Sequence, residues 1–203
     1  PYLGPGGRRG GVAFTTPDVK KHLAELSLSN RSDLTDLHEL KFEEILDYLE
    51  RLGERLTITN PYIREAMELC ALTSGHSRTA AEYFYSNVGQ SYNREFIREH
   101  AENCIGVKYL DGWVERKMAS GATAKIRAFG VRSVHVLAGN VPAPSTMGVI
   151  RNAITRSDAI FKTPSNDPLT AAAIARTMCE MDPTHPITKH LSVAFWKGGG
   201  ETV

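Results

Sequence analysis

Cysteine is scarce in this sequence. Cys70, Cys104 and Cys179 are odd in number, far apart, and in no Cys-x-x-Cys or Cys/His spacing. That argues against a disulfide framework and suits free thiols in a reducing, cytoplasmic compartment. Long apolar runs are missing too: none approaches the ~20 residues a membrane-spanning helix needs. Neither charge sign dominates, with 24 Lys and Arg against 23 Asp and Glu and a net charge of +1. The balance gives no reason to expect nucleic acid or an anionic membrane surface as partner. A signal peptide is also lacking, since the basic residues of Pro1 to Gly11 have no apolar core behind them. There is no initiating Met, and the sequence closes at Glu201-Thr202-Val203, just after a predicted strand and a glycine cluster. These ends read as a piece of a longer protein, processed or truncated.

What remains is enough to fold. At 203 residues and 41% hydrophobic, the chain can bury a core of one domain or a domain and a half. Residues 1–18 hold five Gly and three Pro and read as a flexible leader. Gly4 to Gly11 fits neither GxGxxG nor GxxxxGK[ST], so a phosphate loop is not assigned. Helices follow. Leu37 to Leu52 places Phe42, Ile45, Leu46, Leu49 and Leu52 on one face. Asn60-Pro61 opens a second with cap-then-proline chemistry. A third is expected over about 79–88, where Tyr83, Phe84 and Tyr85 read as packing, and a fourth over about 93–104, with Cys104 facing inward.

From residue 109 the pattern changes. Ala124 to Gly130 alternates like a strand. Val134 to Ala138 is a short β-branched run, read as a buried strand, and Gly139-Asn140-Val141-Pro142 breaks it with turn chemistry. A helix follows over Thr146 to Ile154. Ala159-Ile160-Phe161 forms the next strand and ends in Lys162-Thr163-Pro164-Ser165. Asp167-Pro168 then starts a helix, with Asp167 as cap, running to Glu180. Residues 181–186 read as a loop, and Leu191 to Trp196 forms a third strand before Lys197-Gly198-Gly199-Gly200. This is a βαβαβ unit, in which ligands sit at the carboxyl ends of the strands.

Two residues stand at those ends. Asn140 carries two uncharged N–H donors and either binds a developing oxyanion or only shapes its turn. Lys162 either contacts a ligand or extends its amine to solvent. Gly198 to Gly200 either lets backbone approach a phosphate or is a plain flexible loop. His135, His185 and His190 lack a recognisable ligand pattern and are read as ordinary packed or surface histidines, so no metal is assigned. The three cysteines sit in helical apolar patterns and are read as inert.

HVLAGNVP, SDAIFKTPSNDP and DPTHPITKHLSVAFWKGGGE, in that order, resemble the aldehyde dehydrogenase superfamily. Within it they resemble the acyl-CoA reductase branch, the fatty-acid reductases of bacterial bioluminescence. The likeness covers roughly residues 109–201. It implies an α/β fold: a helical region over 19–108, then the first part of an aldehyde-dehydrogenase-type, Rossmann-like dinucleotide-binding domain over 109–203, with the catalytic domain beyond it. It makes Asn140 the oxyanion donor. It makes Gly139, Lys162, Ser165 and Gly199 cofactor contacts, the register at Gly199 holding to within one or two residues. Ser165 replaces the Glu that many NAD-preferring relatives carry, which implies NADPH. The implied reaction reduces a fatty acyl thioester to an aldehyde through a cysteine acyl-enzyme. The nucleophilic Cys lies outside this sequence, so the chain alone is expected to be inactive. The implied partners are acyl-CoA or an acyl-protein thioester, an acyl-transferase or synthetase, and further copies in a homo-oligomeric parent. Two rivals stay open: another acylating aldehyde dehydrogenase, and a non-catalytic binding or scaffold piece of the same fold.

Overall fold

The computed structural model describes residues 2–3, 13–26, 31–139 and 141–196. Most of the expected leader, including Gly4 to Gly11, lies outside them. Two short strands, β1 (Tyr2–Leu3) and β2 (Ala13–Phe14), pair antiparallel. The helical layer follows: α1 (Thr35–Glu39), α2 (Phe42–Arg55), α3 (Pro61–Thr73), α4 (Arg78–Ser86), α5 (Arg94–Cys104) and α6 (Val107–Asp111).

Helix α2 is the axis of the core. Its side chains Phe42, Ile45, Leu46, Leu49 and Leu52 are all fully buried, as their spacing requires. The helix meets α5 on one side and α7 and α8, described below, on the other. Caps set the neighbouring starts: the Asn60 side chain accepts from the N–H groups of Tyr62 and Ile63, Ser77 from Ala80, and Asn93 from Phe96.

The single helix expected from Leu37 to Leu52 is instead broken at Leu40 and Lys41. Leu40 (ψ 132°) and Lys41 (ψ 153°) are not helical, and the Asp111 carboxylate accepts from the N–H of Phe42 at 2.9 Å. A buried guanidinium completes the junction. Arg156, in the left-handed region at φ 54°, donates from Nε to the Leu40 carbonyl (2.8 Å). It also donates to the Leu110 carbonyl (2.9 Å) and to Asp111 Oδ1 (2.5 Å). Gly130 passes so close that a Cβ there would overlap the carbonyls of Thr155 and Arg156.

A hairpin of β3 (Val114–Lys117) and β4 (Thr123–Ile126) turns through Gly121 at φ 84°. Only its second strand was expected. Then comes the α/β unit: β5 (Arg132–Val136), α7 (Ala143–Ile154), β6 (Asp158–Thr163), α8 (Thr170–Met181), α9 (Pro186–Lys189) and β7 (Leu191–Phe195). The strands are parallel in the order β5-β6-β7. Two right-handed crossovers stepping the same way put α7 and α8 on one face. Phe161, fully buried, lies there against Gly148, where a Cβ would be 3.0 Å from its ring.

The other face is open. Val134 and Val136, expected in a buried strand, are 55% and 75% exposed, because β5 is an edge strand with no layer over that face among the described residues. The helix expected from Pro168 begins at Thr170, with Leu169 as its cap. Helix α9 takes the last residue of the expected 181–186 loop and the stretch after it, started by the His185 ring accepting from Ile187 N–H. Cys70 is buried, but Cys104 and Cys179 are exposed on their helices, so they do not face inward as expected. Of the aromatic trio, Tyr85 is fully buried while Tyr83 is 70% exposed. No helix among the described residues is long and apolar enough to cross a membrane.

Candidate functional site

The carboxyl ends of β5 and β6 come together through backbone pairing. Val136 is level with Lys162, and Lys162 with Ala194. One step on, the N–H of Leu137 donates to the Lys162 carbonyl at 3.0 Å. Side chains alternate along a strand, so Lys162 shares the open face with Val134, Val136, Ile160 and Ala194. Its stem is half-buried, and its Nζ lies 5.9 Å from the centroid of the Phe195 ring. Burial pulls the Lys162 pKa below the ordinary lysine value. No carboxylate among the described residues pairs with it in an ion pair, and an anion brought alongside would favour its charged form.

Beyond Thr163 the chain makes a tight turn, closed by the Asp167 N–H donating to the Pro164 carbonyl at 3.3 Å. Ser165 and Asn166 occupy its two central positions and are half-buried. The Asn166 side chain reaches the β5 loop: a Cβ on Gly139 would overlap its carboxamide. Gly139 is therefore required by close approach between two loops. Asp167 is turned inward, 1% exposed. Its Oδ1 accepts from the Thr170 N–H (3.3 Å) and from the Thr170 hydroxyl. Burial pushes its pKa above the ordinary carboxylate range. The Asp167 carboxylate thus binds the first helical residue, but the N-cap position expected for Asp167 is held by Leu169, whose side chain makes no capping bond.

Gly139, Lys162 and Ser165 therefore meet at one mouth of the sheet. Asn140 and Gly199 lie outside the described residues. Asn166, Thr73 and Tyr85 bound the same loop and were not singled out from sequence; the aromatic run at 83–85 was the one signal. The histidines have local partners. His135 pairs with the Ser133 hydroxyl at 3.0 Å, His185 stacks on Tyr48, and His190 lies 3.0 Å from Asp36. No cysteine stands at the mouth among the described residues. Cys70 is buried in α3, its thiol pKa raised by burial. Cys179 is nine residues into α8, roughly 14 Å along the helix from its start.

The family model described as acyl-CoA reductase (LuxC) matches residues 37–203. The chain belongs to the LuxC acyl-CoA reductase family. Among curated LuxC-type relatives, the long-chain acyl-protein thioester reductase 2 of Photobacterium leiognathi is 43% identical, covering 92% of this chain and 42% of the relative. The corresponding reductase of Vibrio harveyi is 38% identical, covering 94% and 40%. The chain thus spans about two fifths of their length. Solved structures share the fold. An oxidoreductase from Marinobacter aquaeolei superposes with a TM-score of 0.65 at 14% identity, over 97% of this chain and 38% of that one. Succinic semialdehyde dehydrogenase from Streptococcus pyogenes, in complex with NADP+, gives 0.61 at 14% identity, over 93% and 39%. The fold is that of part of an aldehyde-dehydrogenase, Rossmann-like domain behind a helical layer.

Proposed function

We propose that this chain is the helical layer and first part of the cofactor domain of an NADPH-dependent reductase, which converts a long-chain acyl thioester to an aldehyde. The observation that carries the reading is the meeting of Gly139, Lys162 and Ser165 at the carboxyl edge of a parallel sheet, in a LuxC-family chain. Two features of the mouth support a phosphorylated dinucleotide. Lys162 is half-buried with no carboxylate to neutralise it among the described residues. The turn carries neutral Ser165, and the carboxylate that follows, Asp167, points inward.

In this reading the Lys162 ammonium and the Ser165 hydroxyl hold the ribose and its 2′-phosphate, one by charge and the other by a donated hydrogen bond. Bound there, NADPH supplies the hydride that reduces the acyl group. Asn140 would donate its side-chain N–H to the oxyanion that forms when a thiolate attacks the thioester. That thiolate is not among the three cysteines of this chain, so turnover requires a Cys from the remainder of the parent protein. The donor is acyl-CoA or an acyl-protein thioester, delivered by an acyl-transferase or synthetase, and the parent is a cytoplasmic homo-oligomer.

The test is cofactor choice in the full-length parent. Wild type should favour NADPH over NADH in kcat/KM. Ser165→Glu should lower kcat/KM for NADPH by at least roughly tenfold, since a carboxylate against a phosphate is repulsive by several kcal/mol, with a smaller loss for NADH. Equal losses, or a wild type strongly favouring NADH, would remove Ser165 from the 2′ position.

A further inference from the structure

The turn that presents Ser165 is gripped from a different layer of the protein. Thr73, the last residue of α3 and 2% exposed, places its hydroxyl 3.0 Å from the Asn166 carbonyl. The same hydroxyl lies 3.0 Å from the Leu69 carbonyl of its own helix, so its single hydrogen is shared between the two. Tyr85 of α4, fully buried, sets its hydroxyl 2.6 Å from the Thr170 hydroxyl and 3.4 Å from Asp167 Oδ1. The Thr170 hydroxyl donates onward to Asp167 Oδ1. The hydrogens therefore run one way, from Tyr85 to Thr170 to Asp167. Asp167 Oδ2 is buried with no hydrogen-bond partner among the described residues.

These contacts fall on consecutive residues of one turn: Asn166 through its carbonyl and Asp167 through its side chain. The Asn166 carboxamide is seated against Gly139. A turn closed only by the Asp167-to-Pro164 bond could rock about its ends. Held at its third and fourth positions, it cannot shift toward or away from the β5 loop without breaking buried bonds, and such breaks are costly where water cannot replace the partner.

We infer that Thr73 and Tyr85 are positioning residues for the cofactor: through Asn166, Thr170 and Asp167 they fix the turn that sets Ser165 against the ribose and Asn166 against Gly139. The inference rests on the proposed reading of that turn as the ribose site.

The experiment uses the full-length parent and four variants: Thr73→Val, Thr73→Ser, Tyr85→Phe and Ser165→Glu. NADPH affinity is read directly by fluorescence titration, alongside kcat, KM and Tm. Thr73→Val and Tyr85→Phe should each weaken NADPH binding about five- to tenfold, the change one lost hydrogen bond produces, with kcat at saturation within twofold. Thr73→Ser keeps the hydroxyl and should restore the affinity. Amide exchange at residues 165–167 should quicken in Thr73→Val and not in Thr73→Ser. A lowered Tm with unchanged NADPH affinity in Thr73→Val would overturn the inference, since a packing role alone predicts that. If Tyr85→Phe does not fold, the Thr73 pair decides. Ser165→Glu separates the two levels. If it changes NADPH affinity while Thr73→Val does not, the positioning role fails and the site stands. If Ser165→Glu leaves affinity untouched, the reading of the turn as the ribose site fails, and the inference with it.

Discussion

Replacing Arg156 by Met tests how the helical layer is tied to the α/β unit. The guanidinium is 3% exposed and binds the Leu40 carbonyl, the Leu110 carbonyl and Asp111. Burial lowers its pKa and Asp111 pulls the other way, so the charge itself brings little net stability. The loss on substitution comes from what is left behind. The buried Leu110 carbonyl and the part-buried Leu40 carbonyl lose their donor, at roughly 1 kcal/mol each, the low end for an unsatisfied buried group. Asp111 keeps the Phe42 N–H and is 35% exposed, so water recovers most of its loss, leaving a residual of about 1 kcal/mol. Methionine fills most of the vacated volume. The sum is about 3 kcal/mol, or a fall in Tm of roughly 6–12 °C for a chain of this size. Urea unfolding of the 203-residue chain should show a lower midpoint with an unchanged slope. A loss below about 1 kcal/mol would refute the reasoning, by showing that Leu40 and Leu110 find other donors.

In the parent enzyme, Asn140→Ala should cut kcat roughly 10²–10³-fold, the usual loss of one oxyanion donor, with NADPH affinity unchanged by titration; a kcat within a few-fold of wild type would leave Asn140 as a turn residue. Gly139→Ala should destabilise the chain by about 1–3 kcal/mol through overlap with Asn166. Adding Asn166→Gly should return at least about 1 kcal/mol of that, and strict additivity in the double-mutant cycle would deny the contact. Asp36 bears on acid stability. Burial opposes its ionisation, but hydrogen bonds from Lys189 and His190 outweigh that and hold its pKa below the ordinary value. A lowered carboxylate pKa gives stability that is present above the unfolded value, about 3.9, and lost as pH falls through the folded one. Below about pH 4, Tm should therefore fall more steeply in wild type than in Asp36→Asn; parallel curves would show that the cluster does not act on stability.

The α/β unit was legible because its signals are local: β-branched runs of strand length, a Gly-Asn-Val-Pro break, helical spacing between them. The errors arose where a distant partner decides. Nothing between Leu37 and Leu52 announces a break at Leu40, because the group that caps Phe42 is Asp111, 69 residues on. Asp167-Pro168 carries a helix-start signal, yet the helix begins at Thr170, where a hydroxyl serves both Asp167 and Tyr85 of another layer. Val134 and Val136 read as buried because composition reports that a strand is apolar, not whether a second layer covers it. At the mouth, Lys162 was noticed from its place after a strand, while Gly139 and Ser165 were named only through the family resemblance. Thr73 was invisible, since a threonine at a helix end has no pattern of its own.

The bond from Thr73 to the Asn166 carbonyl changes what a loop transplant would carry. Its acceptor is backbone, so the turn sequence 164–167 does not encode it, and exchanging that segment with a relative's would leave the donor behind in α3. On the proposed reading of the turn as the ribose site, a designer seeking a different nicotinamide preference would have to move the turn together with the ends of α3 and α4, as one discontinuous cassette.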